Sequence, residues 1–264
     1  MSDRYAVIGN PVAHSRSPAI HAEFARATGQ DIEYGRIEAP LEDFAHTVER
    51  FRAAGGKGLN VTLPFKGEAF ALCARASERA RLAQAVNTLR FEDSFGDNTD
   101  GIGLIRDLSQ NLGVRLEGTA ILLLGAGGAA QGVIGALLEA GARRLVIANR
   151  TVSKARALAE RFAGTSGCSY EDLRAERFNV VVNATSAGLG GAAPALPAGV
   201  LDERTLAYDM TYGRETPFMA HARRAGARVS DGLGMLVEQA AESFFVWRGV
   251  RPSTAPVLAK LRGS

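Results

Sequence analysis

Six residues, Gly125-Ala126-Gly127-Gly128-Ala129-Ala130, follow directly on the apolar run Thr119–Leu124 and open a helix-period stretch to about Ala140. Gly125, Gly127 and Ala130 occupy the three positions of G-x-G-x-x-G/A. The first gives a tight turn, the second lets a pyrophosphate approach bare backbone, and the third lets helix and strand pack closely. The motif follows a strand and opens a helix, which is the context that dinucleotide binding requires. The stretch therefore commits this part of the chain to a Rossmann-type α/β layer, with the pyrophosphate expected against Gly125, Ala126, Gly127, Gly128 and Ala129. The next strand, Arg144–Ala148, ends in Asn149-Arg150-Thr151, with Lys154 one turn on. An NAD site places an acid there to bind the ribose hydroxyls. Here there is none, and Arg150 and Lys154 can pair with a ribose phosphate while the Arg guanidinium stacks on adenine. The expected cofactor is NADP.

The remaining strands extend the same layer. Phe178–Val182 ends in Asn183-Ala184-Thr185-Ser186-Ala187-Gly188, at the strand edge where open α/β sheets hold ligands. A Gly/Pro-rich loop is expected from Leu189 to Pro197. Leu206–Asp209 is a strand followed by Met210-Thr211-Tyr212-Gly213, and Pro217 starts a helix. Asp231-Gly232-Leu233-Gly234 caps a long helix to about Trp247, and Thr254–Leu261 is a short closing helix.

The first hundred residues read as a second βα layer. Tyr5–Ile8 and Ile32–Ile37 are strands, and Asp43–Ala54 is an amphipathic helix. Ser17-Pro18 reads as an N-cap with Pro at the first helical position. Ser15 and Ser17 either serve that local geometry or, with the helix N-terminus, bind an anion such as a carboxylate. Gly58–Val61 is a buried strand that Pro64 stops, and Lys66 opens the next helical pattern. Asn60 and Thr62, on alternate positions, share a face. Glu68–Leu72 and Glu78–Leu82 read as short helices and Val86–Leu89 as a strand. Asn87, polar at the entry to that strand, satisfies backbone or faces a ligand. Asp100, before Gly101 and the spacing Ile102, Ile105, Leu108, reads as an N-cap whose second oxygen can meet Lys66.

Composition excludes several classes. The chain of 264 residues is 46% hydrophobic and 22% charged, which suits globular domains with their own cores. A net charge of +3 is too small to argue for nucleic acid. Cys73 and Cys168 stand far apart and read as free thiols, and the four histidines have no metal-ligand spacing. The start Met-Ser-Asp-Arg runs straight into a strand and reads as carrying no signal peptide. No apolar run reaches the length of a membrane span.

Taken in order, these pieces resemble the shikimate dehydrogenase family almost end to end. The matching segments are Val7-Ile8-Gly9-Asn10-Pro11, Ser15-Arg16-Ser17-Pro18, Asn60-Val61-Thr62-Leu63-Pro64-Phe65-Lys66, Ala85-Val86-Asn87-Thr88 and Gly96-Asp97-Asn98-Thr99-Asp100-Gly101. The Gly125 loop, Asn149-Arg150-Thr151, Asn183-Ala184-Thr185-Ser186 and Asp231-Gly232-Leu233 complete the set. The resemblance implies reversible NADPH-dependent reduction of 3-dehydroshikimate to shikimate, a step of aromatic amino-acid biosynthesis. It implies that Ser15 and Ser17 bind the substrate carboxylate and that Asn60, Thr62, Lys66, Asn87, Asp100 and Gln239 bind ring hydroxyls. Tyr212 is expected near the substrate, Met210 and Gly234 near the nicotinamide, and Thr185 in the cofactor loop. Two departures stand out: Gln84 where Gly is expected, and Lys154 where Arg is common.

Hydride arriving at a ketone carbon builds negative charge on its oxygen. A lysine there stabilises that charge and delivers the proton, and a carboxylate orients the ammonium. Lys66 is thus expected as the acid/base and Asp100 as its partner, with the proton owned by Lys66 or by the pair. The expected fold is α/β with two domains. Residues 1–100 with 236–264 form a substrate domain with a mostly parallel sheet, and residues 101–235 form a Rossmann-type NADP domain. The enzyme is expected in the cytoplasm, as monomer or homodimer, with a small-molecule substrate and no metal, nucleic acid or membrane partner. A broad-specificity quinate enzyme, a catalytically silent NADPH sensor and a folate-type dehydrogenase are the alternatives. The missing acid near Asn149, the presence of Lys66 with Asp100, and the Ser15-Arg16-Ser17 loop argue against each in turn.

Overall fold

The computed structural model describes residues 2–174, 176–185 and 193–263. The expected cofactor-side loop residues Ser186, Ala187 and Gly188, and the first part of the Leu189–Pro197 loop, lie outside them. The chain divides into two compact units, residues 1–103 with 236–264, and residues 104–235.

The first unit begins β1 (Asp3–Gly9), α1 (Ser17–Thr28), β2 (Ile32–Glu38), α2 (Phe44–Ala53), β3 (Gly56–Val61) and α3 (Lys66–Ala71). It continues with β4 (Arg75–Ala76), α4 (Glu78–Ala83), β5 (Thr88–Arg90) and β6 (Phe95–Asp97). The sheet runs β2-β1-β3-β5-β6-β4. The first three strands are parallel, as the βαβα order requires. β5 is antiparallel to both its neighbours. β5 was expected over Val86–Leu89, whereas β6, with three residues, is too short to show a period.

α5 (Asp100–Arg106), continued by a π-helical turn Asp107–Asn111, carries the chain into the second unit. There follow β7 (Ala120–Leu124), α6 (Gly128–Glu139), β8 (Arg144–Ala148), α7 (Val152–Glu160), β9 (Thr165–Cys168) and β10 (Val180–Asn183). β11 (Leu206–Asp209), α8 (Pro217–Arg224) and β12 (Arg228–Ser230) complete the sheet, and α9 (Leu233–Arg248) with α10 (Ala255–Arg262) ends the chain. The order is β12-β11-β10-β7-β8-β9, all parallel. The chain winds outward in opposite directions from β7, so the switch point lies beside it, at the carboxyl ends of β7 and β10. That is where such sheets bind ligands.

The continuous apolar strands of this unit follow from burial on both faces. Ile121, Leu123, Leu145, Ile147, Val180 and Val182 join one core, and Leu122, Leu124, Val146, Ala148 and Val181 the other. The first unit is likewise two-faced. Ala6, Ile8, Leu59 and Val61 pack under α2 and α3, where Phe44 stacks on Phe65. The opposite face is aromatic and draws on both ends of the chain. Tyr5 stacks on Trp247 at 4.6 Å, His21 on Tyr34 at 4.2 Å, and Phe24 meets Phe244 edge-on. No helix among the described residues is long and apolar enough to cross a membrane.

Two expected caps are corrected. The N-cap of α1 is Arg16, with no side-chain cap bond, and Ser17 is the first helical residue. Ser15 Oγ accepts from the Ser17 N–H instead, because the turn brings that hydroxyl closer. Asp100 opens α5 but does not cap it: its own N–H donates to Asn98 Oδ1, and its carboxylate oxygens go to Lys66 and Asn87. Buried beside a cation, a carboxylate gains more from charge-assisted bonds than from a cap.

Candidate active site

Within the first unit, Lys66 and Asp100 meet. β3 ends at Val61, and the Pro64 turn places Lys66 as the first residue of α3. Its carbonyl accepts from the Val86 N–H, tying this turn to the Asn87 segment. Lys66 Nζ lies 2.5 Å from Asp100 Oδ2, with the side chains 16% and 9% exposed. An ammonium has three N–H groups, and this pairing uses one. Asp100 Oδ1 accepts from Asn87 Nδ2 at 2.9 Å.

Asn87 is the hub. Its Nδ2 also faces Thr99 Oγ1 and Gln239 Oε1, and its Oδ1 accepts from the Thr99 N–H and Thr88 Oγ1. Gln239, on α9, donates to the Leu236 carbonyl, which fixes its amide. Asn60 Nδ2 donates to Ser243 Oγ at 2.9 Å, and Asn60 Oδ1 accepts from Tyr34 Oη at 2.7 Å. Thr88 and Ser243 hydroxyls lie 2.7 Å apart and link the Asn60 and Asn87 groups. Asn87 satisfies the Thr99 N–H, as one of its two expected readings has it, and its Nδ2 faces the Asp100 carboxylate of the lysine pair. Thr62 follows the strand's last residue and is half-buried, with its N–H on the Ile8 carbonyl. Ser15 and Ser17 are buried with their hydroxyls 3.2 Å apart. Thr88 and Ser243 were not expected from sequence, since hydroxyls within apolar periodicity carry no signal of their own, and neither was Thr99, which passes unnoticed in the polar run Asp97-Asn98-Thr99-Asp100.

In the second unit the Gly125 loop has the geometry its composition demands. Gly125 sits at φ +107°, a region that glycine favours, and a Cβ there would press on the Ala184 carbonyl. Over Gly127 and Gly128 a Cβ would meet nothing within 4 Å, so their backbone is open to approach. Ala126 packs against the core below, Ala129 is part-buried, and Ala130 is fully buried against it. Thr185 Oγ1 donates to Asn183 Oδ1, while Asn183 Nδ2 donates to buried Asp209. Asp209 also accepts from Thr216 and from the Thr211 N–H, which sets the turn after β11 that carries Met210 and Tyr212. Tyr212 is half-buried there.

Asn149 Nδ2 braces its own loop on the Thr151 carbonyl. Arg150 and Lys154 are exposed, and neither is ion-paired among the described residues. Bare backbone at a 12-residue helix start, with two unpaired cations at the next strand end, fits a dinucleotide bearing a ribose phosphate.

Gly234 has a structural reason beside its expected one. A Cβ on it would run into the Asp107 carboxylate, which is fully buried and accepts from Tyr208 Oη at 2.6 Å. Burial first, then the Asp107 charge, pushes the Tyr208 phenol well above its usual value, so it stays a donor. Among the described residues no group of His, Cys, Asp and Glu can hold a metal, and Cys73 and Cys168 are free thiols.

Residues 7–89 match the family described as the shikimate dehydrogenase substrate binding domain, residues 107–189 shikimate/quinate 5-dehydrogenase, and residues 232–262 the shikimate 5'-dehydrogenase C-terminal domain. The chain is 59% identical to the shikimate dehydrogenase (NADP(+)) of Aromatoleum aromaticum, over 98% of this chain and 97% of that protein. Among solved structures it is similar to the Ael1 enzyme from Pseudomonas putida, at 52% identity and a TM-score of 0.93 over 98% of both chains. It is also similar to shikimate 5-dehydrogenase from Thermus thermophilus in complex with NADP(H) and shikimate, at 37% identity and a TM-score of 0.88, again over 98% of both chains. The chain belongs to the shikimate dehydrogenase family.

Proposed function

We propose that this protein is an NADP-dependent oxidoreductase that interconverts 3-dehydroshikimate and shikimate, in the cytoplasm, as a monomer or homodimer. The observation that carries the reading is the Lys66–Asp100 pair, fixed by Asn87 and surrounded by hydrogen-bonding side chains. Asn60, Thr62, Asn87 and Gln239 are the groups for ring hydroxyls, and Ser15 and Ser17 those for the carboxylate. Tyr212 is a further substrate contact.

The Gly125–Ala129 loop, Asn149, Arg150, Thr151, Lys154, Thr185, Met210 and Gly234 would hold NADPH, which when bound would supply the hydride. The chain's own task is the oxygen. Lys66 Nζ keeps two N–H groups for it, stabilises the growing negative charge, and passes one proton to the new hydroxyl. Asp100 holds the ammonium in place, and Asn87 holds Asp100. In oxidation the same nitrogen takes the proton back.

Lys66→Ala and Asp100→Asn test this. Loss of general acid/base catalysis lowers kcat by about 10²–10⁴-fold, with NADPH binding, read by fluorescence titration, unchanged. Variants retaining kcat within a few-fold of the parent contradict it.

A further inference from the structure

Arg36 lies on β2, and its register partners are Val7 on β1 and, beyond it, Asn60 on β3. Side chains in one register row share a face, so Arg36 stands on the face that carries Asn60. Its Nε and Nη2 both donate to the Ser15 carbonyl, at 3.1 and 2.6 Å. This fork grips the residue whose hydroxyl meets both the Ser17 hydroxyl and the Ser17 N–H. No acid pairs with Arg36 among the described residues. The guanidinium therefore brings an uncompensated positive charge to a loop whose own ligating groups, two serine hydroxyls, are neutral. Arg4 and Arg81 of this unit also donate to backbone carbonyls without an acid partner among the described residues, but those carbonyls belong to Ala54 and Ala76; the one Arg36 holds belongs to Ser15. An arginine without a counter-ion that holds the residue carrying one of two neighbouring hydroxyls is suited to an anion that arrives with the ligand.

We propose that Arg36 is the positioning and charge-supplying residue of the substrate carboxylate site. It holds the Ser15-Arg16-Ser17 loop in shape and makes the pocket select for an acid over its neutral analogue. This rests on the reading that Ser15 and Ser17 receive the carboxylate. The effect is electrostatic across one residue's width, and because Arg36 is exposed it weakens with salt.

The test is the preference for shikimate over shikimate methyl ester, as the ratio of kcat/KM at saturating NADP, for the parent chain, Arg36→Gln and Arg36→Lys. The parent prefers the acid, and the preference falls with salt. In Arg36→Gln it drops about tenfold and becomes salt-independent, with the KM for NADP unchanged. In Arg36→Lys the charge remains without the fork, so most of the preference remains while both substrates bind more weakly. If Arg36→Gln lowers acid and ester equally, the residue only braces the loop and the charge role is overturned. If neither substrate responds, both roles fall. A parent chain that turns over the ester as well as the acid overturns the carboxylate reading itself, and one that turns over neither overturns the proposed function. These two failures are read from the parent alone.

Discussion

At the residue scale, two positions show how burial and backbone geometry set behaviour. His21 is fully buried against Tyr34, and neither ring nitrogen has a hydrogen-bond partner among the described residues. Burial outweighs the polar Asn60 side chain beside it and lowers its pKa to about 3. Below about pH 6.5 the unfolded chain takes up a proton that the folded chain refuses, so stability falls as pH falls toward 3. Between pH 6.5 and 5 this amounts to about 2 kcal/mol. Tyr34, raised well above its usual value by burial, adds nothing in this range. His21→Phe keeps the ring packing and should flatten the pH dependence of the urea midpoint. An unchanged slope contradicts the assignment.

Gln84 is the second position. It closes α4 at φ +50°, in the left-handed region, where the family resemblance leads one to expect Gly. Gln84→Gly removes strain of about 1–2 kcal/mol and adds unfolded-chain freedom of about 0.5–1 kcal/mol. The variant should therefore melt slightly higher, and a lower melting temperature counts against the strain. Lys66, Asp100, Asn60 and Asn87 were legible in the sequence because each breaks an apolar pattern at the end of a strand or the start of a helix. Arg36 and Ser243 were not. Arg36 sits in a strand already polar, and Ser243 in a stripe where a small hydroxyl passes for core.

At the scale of elements, legibility followed pattern length. β7, β8, β10 and β11 are continuous apolar runs and were read within two residues of their observed bounds. β9 and β12 are the sheet edges, Thr165–Cys168 and Arg228–Ser230, and half-exposed edges need no apolar run. Gly167 in β9 is required by packing, since a Cβ there would meet the α7 backbone at Ala155. The same logic predicts the outcome at the start of α9. Gly234→Ala drives a methyl into the Asp107 carboxylate, and overpacking of this kind destabilises by about 1–3 kcal/mol. The loss should be partly recovered in the double variant Gly234→Ala/Asp107→Ala. Additive losses mean that the two side chains do not compete for one space.

At the scale of the whole molecule, the first unit is built from both ends of the chain. Residues 236–264 bring Gln239 and Ser243 to the Asn87 hub, and Phe244 and Trp247 to the aromatic face. A chain ending at Met235 leaves that face uncovered. Hydrogen exchange in β1, β2 and β3 should lose its protection, while β7, β8 and β10 keep theirs. Retained protection in the first three strands contradicts this dependence. The joining of distant segments was legible only through the family resemblance, because local pattern reports which face of α9 is apolar and not which sheet it covers.

The central claim, an NADP-linked oxidoreductase for shikimate built on Lys66 and Asp100, is tested most directly by initial rates of oxidation at pH 8 to 9. Four combinations suffice, shikimate or quinate, each with NADP or NAD. Turnover is expected with shikimate and NADP, and slow or no turnover in the other three. Comparable rates with quinate or NAD contradict the selectivity assigned to the two sites, and no turnover in any combination, with NADPH still bound, contradicts the activity itself.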